Sequence, residues 1–260
     1  MAYPGAYRME GRGFGLAIFA FCVGLMLMLL EPRAGTFYFA GTLGAIVLGV
    51  IRFGGFPEEV FGLTLTSRSW MHALIGTLVG LILSTMGMAG AIDFKISPEW
   101  LLAETAGGKA LPIWVTIAMA GEIGFAEELI FRGLIQRGMK YELADMYGGF
   151  GATVLGVLLG AVTFAIFHIP AYGGMEYIYW PLIAGILFGV LLEITDSLYT
   201  PIMAHFVYDS IILVSRKTGS LGSGIILTMI AAFVVIVVLA FAGIRAGATY
   251  TPTRRAEVLW

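Results

Sequence analysis

The sequence is poor in the residues that soluble enzymes use most freely. Its single cysteine, Cys22, lies inside an apolar run, so an internal disulfide is excluded and packing is its expected role. Only 12% of the 260 residues are charged, and the formal net charge is −2, with no basic cluster of the kind that binds nucleic acid. There are three histidines. Neither HExxH nor GxSxG occurs, and no serine or cysteine stands beside a base as in a nucleophilic protease, which disfavours a covalent mechanism. No internal repeat or low-complexity tail is present. What fills the chain is hydrophobic: 59% of residues, with a mean hydropathy of +0.91. That is beyond the range of a soluble domain, and the expected class is an all-α, polytopic integral membrane protein.

Run lengths divide the chain into about eight spans, because only helices or closed barrels satisfy the backbone in lipid and these runs are too long for barrel strands. The expected spans are 13–30, 36–51, 70–92, one starting near Pro112, 150–168, 177–193, 198–214 and 222–244. Arg8 and Arg12 precede the first, which is too long for a signal peptide and is read as uncleaved. Phe56, Pro57, Glu58 and Glu59 resemble the start of a short interfacial helix, and 93–111 is polar. The fifth span is expected to break at Pro170. Tyr177, Tyr179 and Trp180 are expected to form an aromatic collar, and Glu193 and Asp196 to be solvated beside a short link. Glycines at 44–49 and 151–160 suit close helix approach. The whole of 1–260 is expected to be one membrane domain: the first three spans with their connectors in 1–111, spans four to seven in 112–214, and the last span and tail in 215–260.

Residues 121–133 break this pattern. Glu122, Glu127, Glu128 and Arg132 lie in a run otherwise fit for lipid, where each central charge costs roughly 2.5–3.5 kcal/mol even on the lenient insertion scale. Glu128 and Arg132, four residues apart, share a helix face and are expected to neutralise each other. Glu127 points about 100 degrees away and has no local partner. On later spans, His205 and Asp209 share a face, and Phe164 lies one turn below His168. A mutually satisfying cluster, in an intramembrane polar cavity, is the least costly arrangement. A carboxylate in a dry pocket with neighbouring imidazoles is equipped to activate water against a carbonyl. The same Glu127, His168, His205 and Asp209 are also a plausible donor set for zinc, and spacing alone does not separate the two. The simpler readings are that Glu128 and Arg132 form a structural pair, that His72 is interfacial, and that Glu122 either lines the same cavity or packs against another span.

Glu127-Glu128 followed by Arg132 matches an EExxxR motif, Phe164 to His168 matches FxxxH, and His205 to Asp209 matches HxxxN/D. In this order on late spans they resemble the CPBP (Abi) family of intramembrane endopeptidases, which includes the type II CAAX prenyl proteases. The resemblance implies that Glu127 is the general base, that His168 positions the water, that His205 with residue 209 stabilises the oxyanion, and that Glu128, Arg132 and Phe164 support them. It implies a membrane-associated peptide or protein substrate, which in the prenyl proteases is prenylated while other members differ; the glutamate-activated water mechanism requires no cofactor. The family's prenyl proteases usually carry asparagine where this chain has Asp209. An ionised aspartate cannot donate to an oxyanion, so Asp209 is protonated, or ligates a metal, or orients His205 as an acceptor, the last being the expected role.

Basic residues number nine in the segments that are inner, and five in those that are outer, if the amino terminus is cytoplasmic, so both termini are expected there. Depth then matters. His168 lies roughly 27 Å from the inner end of its span, and Glu127 only about 20 Å even with its helix extended to Lys140. The fourth helix is therefore expected to outrun its apolar stretch. Two other functions use the same residues: a proton-coupled transporter, and a non-catalytic membrane scaffold or immunity protein.

Overall fold

The computed structural model describes residues 62–89, 112–172, 175 and 178–249. The first two expected spans, Cys22, the 56–59 segment, the polar 93–111 segment and the tail from 250 lie outside the described residues. Among the described residues every regular element is helical: α1 (Ser69–Ala89), α2 (Ile113–Glu128), a π-helical segment (Leu129–Gln136), α3 (Arg137–Tyr172), α4 (Tyr179–Thr195), α5 (Tyr199–Thr218) and α6 (Leu221–Thr249). Among these described residues three stretches, Ser69–Met86, Ile113–Ile169 and Leu221–Arg245, are long and apolar enough to cross a membrane, and α4 is a shorter apolar helix.

Prolines mark the helix starts. Pro112 caps α2 at φ −57°, ψ 147°. Pro181 and Pro201 each fall in the first turn of their helix, where a missing N–H costs nothing. The helical bonds begin directly after them, Leu182 N–H to Ile178 O and Ile202 N–H to Leu198 O, both at 3.1 Å. The link between α4 and α5 turns on Asp196, which adopts φ 46° and donates its N–H to Leu192 O at 2.8 Å.

The fourth expected span continues from α2 through the π segment into α3 without interruption until Gly148, whose φ of 68° and ψ of 170° reverse the chain. The far arm of α3 then runs back along the π segment. A Cβ on Gly156 would stand 2.9 Å from Gln136 O, and one on Gly160 3.3 Å from Phe131 O, so these two glycines serve close approach, whereas Gly151 meets only Tyr147 Cβ of its own helix. Glu127 lies 21 residues before Gly148 and His168 20 residues after it. At 1.5 Å per residue both are about 30 Å from the turn, which brings them level. The helix is longer than its hydropathy, as the depth comparison required. The break expected at Pro170 is not found there; helical backbone runs on to Tyr172.

Helix α5 is buried along nearly all its length and packs against α1, α2, α4 and α6. It is not among the helices whose composition suits lipid, and its surroundings give the reason: protein, not lipid, covers it, so it can carry His205 and Asp209. Gly76 and Gly80 of α1 meet its backbone, where a Cβ would come within 2.2 Å of Thr200 O and 2.4 Å of Ala204 O. Backbone atoms cannot yield to a side chain, so Gly80→Leu should cost about 1–3 kcal/mol or more through overpacking. Its folded yield and melting temperature in detergent should both fall. Gly149→Ala, where a Cβ meets nothing within 4 Å, should leave them unchanged.

One expectation about a polar residue needs correction. Glu193 is not simply solvated: it accepts from Gln136 Nε2 at 3.0 Å and pairs with Lys140; Asp196 is exposed, as expected, and there pairs with Arg137 at 2.7 Å. These contacts tie the end of α4 to the helix that carries the glutamates. Of the expected aromatic collar, Tyr177 lies outside the described residues, Tyr179 is exposed, and Trp180 is half-buried with its indole N–H donating to Tyr208 on α5.

Candidate active site

The last two residues of α2 are Glu127 and Glu128, and the π segment begins at the next position. Such i→i+5 turns recur at functional sites because they re-aim side chains within a helix. Nothing in LIFRGLIQ distinguishes it from ordinary helix, so the sequence offers no signal for it. Arg132, inside the segment, points at Glu128, with Nε 3.1 Å from Oε2 and both side chains wholly buried. The expected pair is therefore formed. Arg132 Nη2 also donates to Gly185 O on α4 at 3.2 Å. Its guanidinium lies 4.3 Å from the ring centre of Phe164 and 5.4 Å from that of Phe188, so aromatic faces replace water around the charge.

Glu128 has a second partner. His205 Nδ1 is 2.9 Å from Glu128 Oε1. A carboxylate paired with a guanidinium only accepts, so Nδ1 carries the proton and donates. The carboxylate behind the His205 ring is thus Glu128, where Asp209 was the expected orienting residue. Asp209 instead meets the other side of the ring, with Oδ2 3.4 Å from Nε2.

Glu127 faces both imidazoles. Its Oε2 is 3.5 Å from His168 Nε2 and 3.8 Å from His205 Nε2. His168 Nδ1 is 2.8 Å from Phe164 O, and since a carbonyl cannot donate, Nδ1 is the protonated nitrogen. In the neutral ring, Nε2 then presents a lone pair toward the Glu127 carboxylate. The Phe164 ring lies against the His168 imidazole, centroids 4.3 Å apart, as the FxxxH spacing requires. Side-chain exposure is 4% for Glu127, 6% for His205, 15% for His168 and 20% for Asp209, so the cluster opens on the side of His168 and Asp209.

All seven site residues expected from sequence, Glu127, Glu128, Arg132, Phe164, His168, His205 and Asp209, therefore converge, from α2, the π segment, the far arm of α3, and α5. Glu122 is buried one and a half turns earlier, and His72 is half-buried on α1, outside the cluster. The sequence reading missed α4: Gly185 as acceptor for Arg132, and Phe188, 1% exposed, stacked on His205. It also missed Gln136, whose Nε2 donates to Gly189 O at 3.1 Å one turn further along both elements. For the zinc alternative, no group of three or more His, Cys, Asp or Glu among the described residues is spaced to hold a metal ion.

Chemically, the arrangement sets one carboxylate oxygen between two imidazole nitrogens in a nearly dry pocket, with a second carboxylate and a guanidinium fixing the frame. No curated protein and no solved structure matches the chain. A family model does: type II CAAX prenyl endopeptidase Rce1-like, over residues 109–211. The matched stretch contains every residue of the cluster, so residues 109–211, among helices apolar enough to cross a membrane, are similar to the Rce1-like type II CAAX prenyl endopeptidases.

Proposed function

We propose that this chain is a multi-pass intramembrane endopeptidase in which Glu127 activates water to cleave a peptide bond near the carboxy terminus of a prenylated, membrane-associated protein. The observation that carries the reading is Glu127 Oε2 facing His168 Nε2 at 3.5 Å and His205 Nε2 at 3.8 Å. A water whose two hydrogens point at Glu127 Oε2 and His168 Nε2 keeps its lone pairs for the substrate carbonyl. As the oxygen attacks, its proton passes to Glu127, which later delivers it to the leaving amine. The developing oxyanion is met by the imidazole of His205, its ring held from behind by Glu128 and faced by Asp209. A protonated His205 donates from both nitrogens, so a carboxylate on either side suits the donor role.

No cofactor is needed for these steps. Zinc is the alternative for Glu127, His168, His205 and Asp209, and these four side chains would have to move out of their present spacing to hold it. The whole chain is read as one membrane domain with both termini in the cytoplasm and the site open toward the cytoplasmic leaflet.

The test is cleavage of matched farnesylated and unprenylated peptides by purified protein in lipid nanodiscs, with a chelator arm. Cleavage of the farnesylated peptide, at least tenfold faster than of its unprenylated twin and indifferent to chelator, is expected. Activity that survives in both Glu127→Ala and His168→Ala would overturn the proposal. Equal rates on the two peptides would overturn the prenyl specificity alone.

A further inference from the structure

We infer that Phe188 is a positioning residue for His205, setting the rotation of its ring and so the direction of Nε2. The inference rests on the reading of His205 as part of the catalytic site. Glu128 holds Nδ1 at 2.9 Å, but one hydrogen bond at one nitrogen leaves the ring free to turn about that contact. Turning would carry Nε2 away from Glu127 and Asp209. Two aromatic rings remove that freedom. Phe188 stacks on one face of His205, with centroids 5.0 Å apart and planes 29° from parallel, and Phe164 meets the imidazole at 5.8 Å and 72°.

Phe188 is itself fixed by the way α4 docks. Arg132 and Gln136, one turn apart, donate to Gly185 O and Gly189 O, the carbonyls three residues before Phe188 and one after it. Glycine lets the elements approach at both places: a Cβ on Gly185 would lie 3.0 Å from Ala161 Cα, and one on Gly189 would displace the Gln136 amide, 2.7 Å from its Oε1. The Arg132 guanidinium then fills the space between the Phe188 and Phe164 rings. The residue that neutralises Glu128 therefore also seats the ring that orients its other partner. Packing alone would explain a buried phenylalanine, but not the near-parallel stack on the one imidazole that meets three carboxylates.

Phe188→Met conserves volume and removes the flat face. In nanodiscs, kcat on the farnesylated peptide should fall on the order of 10²-fold, the cost of a misdirected catalytic group, with KM unchanged. Phe188→Tyr should restore kcat to within a few-fold. A kcat for Phe188→Met equal to wild type per folded molecule, or a rise in KM alone, would overturn the inference. The second readout needs no activity. With three histidines, 15N/13C-histidine labelling resolves His205. Its ring protons should lie upfield of free histidine in the wild type and move downfield in Phe188→Met, or in Phe188→Leu should the first variant not fold. Unshifted wild-type signals would overturn the inference on their own. A wild type that cleaves nothing would remove the protease reading, and the spectra would still decide whether Phe188 fixes the ring.

Discussion

Glu127→Gln is expected to reduce peptide cleavage by about 10²–10⁴-fold, the usual contribution of a positioned general base, while leaving the fold intact. The amide is isosteric and stays in the same pocket, so melting temperature and elution volume should match wild type. Its oxygen accepts a hydrogen bond but cannot take the water's proton. Loss should therefore fall on kcat, with KM for the peptide little changed. Glu128→Gln is the informative neighbour. Its oxygen still accepts from His205 Nδ1, which donates at 2.9 Å in the wild type, so it should retain more activity than Glu127→Gln. If the two variants lost activity equally, the division of labour between adjacent glutamates would be wrong.

The largest effect on stability is expected at Arg132. Its side chain is wholly buried, and among the described residues it is the only cation against Glu128 that does not depend on histidine protonation. Arg132→Met fills most of the volume but leaves a buried carboxylate without its guanidinium, a loss of about 3–5 kcal/mol. Against the 5–15 kcal/mol of a typical fold this is a large share. Little folded protein should be recovered by size exclusion, and what is recovered should melt well below wild type. The double variant Arg132→Met with Glu128→Gln removes both charges and should regain much of the loss. A single variant as stable as wild type would show that the pair does not hold this frame.

How much of this could be read from residues alone depends on what each residue costs where it sits. Glu127, Glu128, Arg132, His168, His205 and Asp209 stand out because charge in an apolar run demands a reason, and i,i+4 spacing then pairs them. The same logic required a fourth helix longer than its hydropathy, and the turn at Gly148 supplies it. Phe188, Gly185 and Gly189 carry no such cost. In the run YWPLIAGILFGVLLEIT they look like any other apolar or small residues, and only the crossing of α4 against the π segment gives them roles. Pairings between distant parts of the chain are equally silent: Glu193 finds Lys140 across 53 residues, and a carboxylate beside a turn reads as solvated until that partner is known. Asp209, one turn from His205 and unable to donate when ionised, is the acceptor that the sequence offers for orienting that ring. Glu128, 77 residues earlier, takes that role. Local spacing finds local neighbours, and the carboxylate that reaches Nδ1 comes from another helix.

The central claim, attack by water activated at Glu127 without an acyl-enzyme, is tested most directly by letting the purified protein cleave a farnesylated peptide in H2(18)O containing hydroxylamine. A single attacking water places one 18O in the new carboxylate and forms no hydroxamate, and Glu127→Gln suppresses this product. Hydroxamate accumulating alongside the acid, or an undiminished yield from Glu127→Gln, would contradict the account.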